Sequence, residues 1–385
     1  MSASSPSSAP FAASALPDSV ARPTAIVYCE ANFGQQDGKT ANGLVRHSER
    51  YEILAVLDST KSGLDAGQVL GGEPNGIPIR ADLGDAVAHL GSQGRTADTF
   101  IFGVAPTSGM LSGGERALML DAMRRGMGLV NGLHEFLTED PEFVAAAAAN
   151  GVTIQDVRKP KPKKDLHMFS GRIAEVACPR IAVLGTDSAI GKRTTATILT
   201  AALNEEGIRA VMVGTGQTGL IQGARYGVAL DAIPCQFCSG EMENAVVEAW
   251  EGEHPDVIII EGQGALSHPA YLSSTFILRG SQPQAVILQH APGRGRLGDF
   301  AHLPVPDPAS EINLLQTFAD TRVIGLTINH EALTDAEVSA AIIAYEDELG
   351  IPATDALTRS PDRLVEMVVQ AFPFLNEKLP AAIAG

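Results

Sequence analysis

Apolar residues along this chain fall into short, nearly continuous runs separated by stretches with helical spacing. In the first part the runs are 25–29 (AIVYC), 51–58 (YEILAVLD), 99–105 (TFIFGVA) and 152–157 (VTIQDV), with a helix expected over 113–127 (GGERALMLDAMRRGM). A second series follows at 180–186 (RIAVLGT), 209–216 (RAVMVGTG), 256–262 (DVIIIEG), 284–291 (QAVILQHA) and 322–329 (RVIGLTIN), with helices expected over 192–206, 241–251 and 334–348. Runs without polar alternation describe strands buried on both faces, as in parallel sheets flanked by helices. The pattern predicts an α/β protein of two doubly wound parallel sheets, the first Rossmann-like and the second like a P-loop NTPase, with ligands at the carboxyl ends of the strands.

Two stretches break the pattern. Residues 1–22 are mostly Ser, Ala and Pro and are expected to form a disordered tail, and 158–164 (RKPKPKK) interrupts the alternation as a basic, proline-bearing linker. The expected organisation is a tail over 1–22, a Rossmann-like domain over 23–157, a linker over 158–172 and a P-loop domain over 173–385. The 385 residues carry 28 Lys and Arg against 45 Asp and Glu, a net charge of −17, which argues against nucleic-acid and anionic-membrane partners. No apolar run approaches the length of a membrane span. Four cysteines in a chain this long make no disulfide framework, so the expected location is the cytoplasm.

The strongest local signal is the run Gly185, Thr186, Asp187, Ser188, Ala189, Ile190, Gly191, Lys192, Arg193, Thr194, between an apolar strand and a helical stretch. Successive backbone N–H groups and a helix N-terminus make a nest for phosphate oxygens, and a lysine adds positive charge. The spacing departs from G-x4-G-K-[ST] twice: five residues separate the glycines, and Arg193 stands between Lys192 and Thr194. The longer loop is similar to that of dethiobiotin synthetase. The displaced hydroxyl is rotated by about 100 degrees around the helix, which places its use as a magnesium ligand in question. Glu261 ends the 256–262 run, where it can ligate a metal, orient the lysine or cap the glycine-rich turn.

Other constellations keep open readings. Gly34, Gly38, Lys39 and Thr40 follow the first strand and Asp58 ends the second, but without G-x-G-x-x-G the segment reads as a structural turn or small-anion pocket before a dinucleotide site. His268 and His290, with Arg294, follow neighbouring strand ends beside the phosphate loop and are structural or proton-accepting. Arg158, Lys159, Lys161, Lys163 and Lys164 solvate a linker or meet an acidic ligand, Arg158 and Lys159 being favoured for the second role. Cys235 and Cys238 lack a second ligand pair for zinc and read as buried structural thiols. Glu243 complements a helix dipole, the 105–115 loop is suited to lining a cleft, and His134 reads as structural.

Taken in order, GKTANGLVR, FGVAPTSGMLS, GLHEFL, DVRKP, GTDSAIGKRTT, EGQGALSHPAY and HAPGR resemble the D-glutamate N-acetyltransferase family, over roughly 24–372. The resemblance implies an N-terminal Rossmann-like domain, a C-terminal P-loop domain, and acetyl transfer from acetyl-CoA to the amine of a D-amino acid, D-glutamate first, in D-amino acid catabolism. The phosphate loop then holds the diphosphate of CoA, with no obligatory metal.

Acetylating an ammonium requires a base and a donor for the thioester oxyanion. From their placement His268 is the expected base, with His290 or Glu261 next, the 262–266 turn supplies oxyanion donors, and Arg158, Lys159 and Arg294 hold substrate carboxylates. A homo-oligomer is expected. The rival enzyme is an ATP-dependent carboxylase or amide ligase of the dethiobiotin synthetase type, which needs magnesium. A nucleotide-sensing regulator is the non-enzymatic alternative.

Overall fold

The computed structural model describes residues 21–106 and 109–379; most of the anticipated tail and the centre of the 105–115 loop lie outside the described residues. Strands β1 (Thr24–Tyr28), β2 (Glu52–Leu57), β3 (Ile79–Arg80), β4 (Thr99–Phe102), β5 (Gly128–Asn131) and β6 (Ile154–Asp156) form one sheet in the order β3-β2-β1-β4-β5-β6. Every pairing is parallel, and the order is that of a doubly wound nucleotide-binding fold. Helices α1 (Lys39–Arg46), α2 (Ala66–Val69), α3 (Leu83–Ser92), α4 (Gly113–Arg124) and α5 (Pro141–Asn150) make its crossovers.

The second sheet contains β7 (Arg180–Gly185), β8 (Ala210–Gly214), β9 (Tyr226–Gly227), β10 (Val257–Glu261), β11 (Ala285–His290), β12 (Arg322–Ile328) and β13 (Ala353–Thr354), ordered β13-β12-β11-β7-β10-β8-β9 and parallel throughout. Its helices are α6 (Lys192–Glu205), α7 (Gln217–Gln222), α8 (Cys235–Glu253), α9 (Ser273–Ser281), α10 (Pro308–Phe318), α11 (Asp335–Leu349) and α12 (Asp362–Ala371). Alternation along the central strands divides the core into two layers. Ala182, Leu184, Ile258, Ile260, Val286 and Leu288 face Val246, Ile277 and Leu315, whereas Ile181, Val183, Ile259 and Ile287 face Leu199, Leu203 and Val368. Two-sided burial explains why these strands are unbroken apolar runs. No described helix is long and apolar enough to cross a membrane.

The two α/β sheets agree with the expectation, but several elements were not anticipated. The edge strands β3, β9 and β13 have two residues each, too few to show a period, and β5 opens on glycine. Helix α8 starts at Cys235, six positions before the expected start. Cys238 in its first turn is buried and bonds backwards to the Ile233 carbonyl at 3.3 Å, but Cys235 is exposed, so only one of that pair is a core thiol.

Helix α7 matters most for the site. Leu220 and Ile221, with Ala229, belong to the hydrophobic core of the first sheet although they lie in the second half of the chain. Hydrogen bonds fix this seam: the Thr40 and Thr218 hydroxyls meet at 2.8 Å, and Gln222 Nε2 donates to the carbonyls of Gly43 (2.7 Å) and His47 (2.6 Å). Replacing Leu220 with alanine is expected to lower stability by about 2–5 kcal/mol, the usual cost of a cavity at a buried leucine. Denaturant titration followed by a probe in the first sheet checks this. A midpoint unchanged there would show that α7 adds nothing to that core.

Candidate active site at the phosphate loop

The loop between β7 and α6 is shaped by its glycines. A Cβ on Gly185 would sit 2.9 Å from the Gln289 carbonyl and 3.0 Å from both Ile190 and Lys192, and Gly191 has φ +106°. Gly191 N-caps α6 without a side-chain bond, so the first N–H groups of that helix face the loop. Lys192 lies back over the loop, its Nζ donating to the Asp187 carbonyl. Burial pulls the Lys192 ammonium down to about 7, with Lys39 and Arg294 adding to the effect against Asp187.

Asp187 is fully buried and braces the loop. Its Oδ1 accepts from the Ser188 N–H at 2.7 Å, and its Oδ2 from Arg294 at 2.9 Å and the Gly298 N–H at 3.0 Å. Thr186 shares a 2.8 Å bond with Nδ1 of His290. Ser188 donates to Asp299 at 2.8 Å, and Tyr271 donates to the same carboxylate at 3.0 Å. Asn329 donates to the Ile190 carbonyl at 3.0 Å, so the strand ends of β11 and β12 hold the loop from below. The remaining loop residue, Ala189, has φ +50°.

Arg193 departs from a nucleotide-hydrolysing loop most clearly. Its half-buried guanidinium donates to Gln222 Oε1 and lies against Gly43 of α1, where a Cβ would come within 2.5 Å. Thr194 is half-buried, and the Thr195 hydroxyl is committed to Gln289 at 2.6 Å. Glu261 accepts from the Thr215 N–H at 2.8 Å, and burial pushes its carboxyl up, opposed by Arg193. The position that ligates magnesium in phosphate loops is therefore occupied by a cation beside Glu261. Among the described residues no group of three or more His, Cys, Asp or Glu is placed to hold a metal. These residues do not fit a magnesium ion at that position.

His268 and His290 differ in their surroundings. Nδ1 of His268 accepts from the N–H groups of Ala270 and Tyr271, both at 3.2 Å, while the ring stacks on Tyr271. With Nδ1 committed as acceptor, the neutral ring carries its proton on Nε2. That Nε2 is buried, has no hydrogen-bond partner in the described structure, and lies 3.9 Å from Asp187 Oδ1. Burial lowers the His268 pKa, so the ring is neutral near pH 7 and a donor at this nitrogen. In this tautomer the residue anticipated from sequence as the base presents a hydrogen-bond donor at Nε2. Burial pulls His290 down to about 4, and its ring is packed edge-on to Tyr345.

The three anticipated carboxylate-binding cations are placed apart. Arg158 is buried, donating to Asp231 at 2.8 and 3.0 Å, to Gln217 at 2.8 Å and to the Gly132 carbonyl. Lys159 turns the other way, to Thr138 at 2.7 Å and Glu139 at 3.3 Å. Arg294 joins the loop through Asp187 and reaches Glu331 at 2.7 Å. His134 stands at the cleft near Asp231, 3.9 Å away and about half exposed. The sequence reading assigned no site role to Tyr271 or Asp299, and named Lys39 only within a run read as a structural turn or small-anion pocket. Only Lys39 carried a signal, the Gly34-to-Thr40 run.

Comparison with known proteins agrees with this architecture. Residues 59–160 match the Rossmann-like domain of the DUF1611 family, and residues 167–365 match its P-loop domain, each described as of unknown function. A crystal structure of a DUF1611 family protein from Anabaena variabilis superposes with TM-score 0.83 at 31% identity, covering 91% of this chain and 100% of that one. D-glutamate N-acetyltransferase from Tritonibacter scottomollicae is 32% identical over 277 residues, 70% of this chain and 80% of that protein. The enzyme of the same name from a Pseudoalteromonas species is 32% identical over 276 residues, with the same coverage. The chain belongs to the DUF1611 family, as an acyltransferase related to the D-glutamate N-acetyltransferases.

Proposed function

We propose that this enzyme transfers the acetyl group of acetyl-CoA to the amine of a D-amino acid, D-glutamate first. The observation that carries this reading is the loop itself: a phosphate nest with Lys192, in which Arg193 takes the place of the metal-ligating hydroxyl. Such a loop suits holding a diphosphate without cleaving it, and the relatives named for D-glutamate acetylation point to the acceptor.

In this reading the N–H groups of Ala189–Lys192 and the Lys192 ammonium hold the diphosphate of CoA. Acetyl-CoA supplies the thioester carbonyl. His268 Nε2–H donates to the carbonyl oxygen as negative charge develops there, and Asp187 keeps the ring and loop in register. His134, which burial and Arg158 keep neutral, takes the proton from the substrate ammonium so that its nitrogen is free to attack. The new C–N bond forms as the C–S bond breaks, and the second proton lost by the nitrogen passes through solvent to the departing thiolate.

The test is release of free CoA thiol from acetyl-CoA with D- or L-glutamate, in the presence of EDTA. Turnover with the D-form, undiminished by the chelator, is the expected result. No thiol release, together with amine-dependent ATP hydrolysis once magnesium is added, would establish the ligase instead.

A further inference from the structure

We propose that Lys39 is the cation that binds a carboxylate of the acceptor amino acid, across the cleft from the phosphate loop. This rests on the acetyltransfer reading and gives a role to a residue that the sequence reading had placed in a structural turn or small-anion pocket.

The argument begins with which positive charges are already balanced. Arg158 is paired with Asp231, Arg294 with Asp187 and Glu331, and Lys159 with Glu139. The Arg193 guanidinium is spent on Gln222, and Lys192 donates to the Asp187 carbonyl. The Lys39 side chain makes no hydrogen bond or ion pair with any described residue. It opens α1 behind Gly38, whose N-cap position has no side-chain bond.

The fold brings this lysine to the loop. Gln36, three residues earlier, lies so close to Gly298 that a Cβ there would come within 2.8 Å of its amide, and the Gly298 N–H is one of the donors to Asp187. On the other side, Thr40 meets Thr218 at the seam. The Lys39 ammonium is close enough to depress that of Lys192, while Lys39 itself is lowered by desolvation and by Arg158 and raised by Asp299, Asp231 and Asp37. Lys39, exposed on one wall, and Lys192, buried on the other, neither with a carboxylate in contact, leave positive charge that an anionic ligand neutralises. An independent feature marks the same space as a ligand site: His268 Nε2, buried and unpartnered, beside Asp187 and Lys192.

The surroundings choose between the two anions that enter. Diphosphate is matched by the loop N–H groups and Lys192 on one wall. Lys39 belongs to the opposite wall, next to Arg158, Asp231 and Asp299, an alternation of charge that fits an ammonium flanked by carboxylates.

Steady-state kinetics of Lys39→Met and Lys39→Arg in the full-length enzyme test this. Lys39→Met is expected to raise KM for D-glutamate about 10- to 100-fold, the worth of one charge-assisted hydrogen bond. KM for acetyl-CoA should stay within twofold, and Lys39→Arg should recover most of the loss. An unchanged KM for D-glutamate, or a rise confined to acetyl-CoA, overturns the assignment. Thermal shift separates this from failure of the acetyltransfer reading, because it needs no turnover. Glutarate should raise Tm of the parent and not of Lys39→Met, while CoA raises both and shows that the variant is folded. Equal glutarate shifts in the two proteins, or none in either, overturn the role of Lys39 even if the enzyme proves to have another activity.

Discussion

Replacing His268 with alanine lowers kcat about 100- to 1,000-fold, the range lost when one preorganised oxyanion donor is removed. KM for acetyl-CoA changes far less, because the Nε2–H bond strengthens only as charge develops on the oxygen. The decisive comparison is His268→Gln. A glutamine amide presents an N–H near the position of Nε2 but cannot serve as a base near pH 7, so it should recover at least tenfold over alanine. Single-turnover measurements at saturating substrates, over pH 6–9, check both points. If His268 is instead a base, the glutamine and alanine variants will be equally inactive. The Nδ1 geometry, with two backbone donors at 3.2 Å, predicts the first pattern.

Lys192→Met is expected to cost about 100-fold or more in CoA affinity, since it removes a buried charge aimed at a dianion. The pH dependence gives a second signature. The Lys192 ammonium in the free enzyme titrates at about 7, and an anionic ligand raises that value. Binding therefore takes up a proton above pH 7, and Kd rises roughly tenfold per pH unit there, levelling off below it. Dephospho-CoA is the suitable ligand for calorimetry because its diphosphate keeps the same charge across the range. A flat profile in the parent would mean that the lysine stays charged throughout. Loss of the slope in Lys192→Met would assign it to this side chain. For folding the sign is opposite: the depressed pKa makes the unfolded chain bind more protons above pH 7, so this group favours the folded state increasingly as pH rises.

Much of this was legible in the sequence for physical reasons. Strands β7, β10 and β11 are buried on both faces, and their apolar runs are unbroken as a result. The phosphate loop was visible because its glycines are required locally: Gly185 has no room for a Cβ, and Gly191 has a left-handed φ. Partners across the fold were not visible. Arg158 looked available in a basic run, yet Asp231, 73 residues later, takes two of its donors. His268 looked like a base because nothing in its neighbourhood announced the turn that closes two N–H groups onto Nδ1. Lys39 was read no further than a structural turn or small-anion pocket because its side chain's distinction is the lack of a partner, which only the assembled cleft reveals.

Helix α7 has a consequence for how this protein can be taken apart. The basic stretch after Arg158 invites a cut that would yield two separate modules. A fragment ending there would lack Leu220, Ile221 and Ala229, which fill the core of the first sheet, and would present their apolar seat to water. The remaining fragment would carry that same apolar helix uncovered, with Gln222 deprived of the Gly43 and His47 carbonyls. Neither piece is a self-sufficient building block, and gene fusions or domain exchanges that respect the boundary in sequence would divide a single physical interior. The exchangeable unit is the first half together with α7, a discontinuous piece that any modular redesign of this architecture has to carry whole.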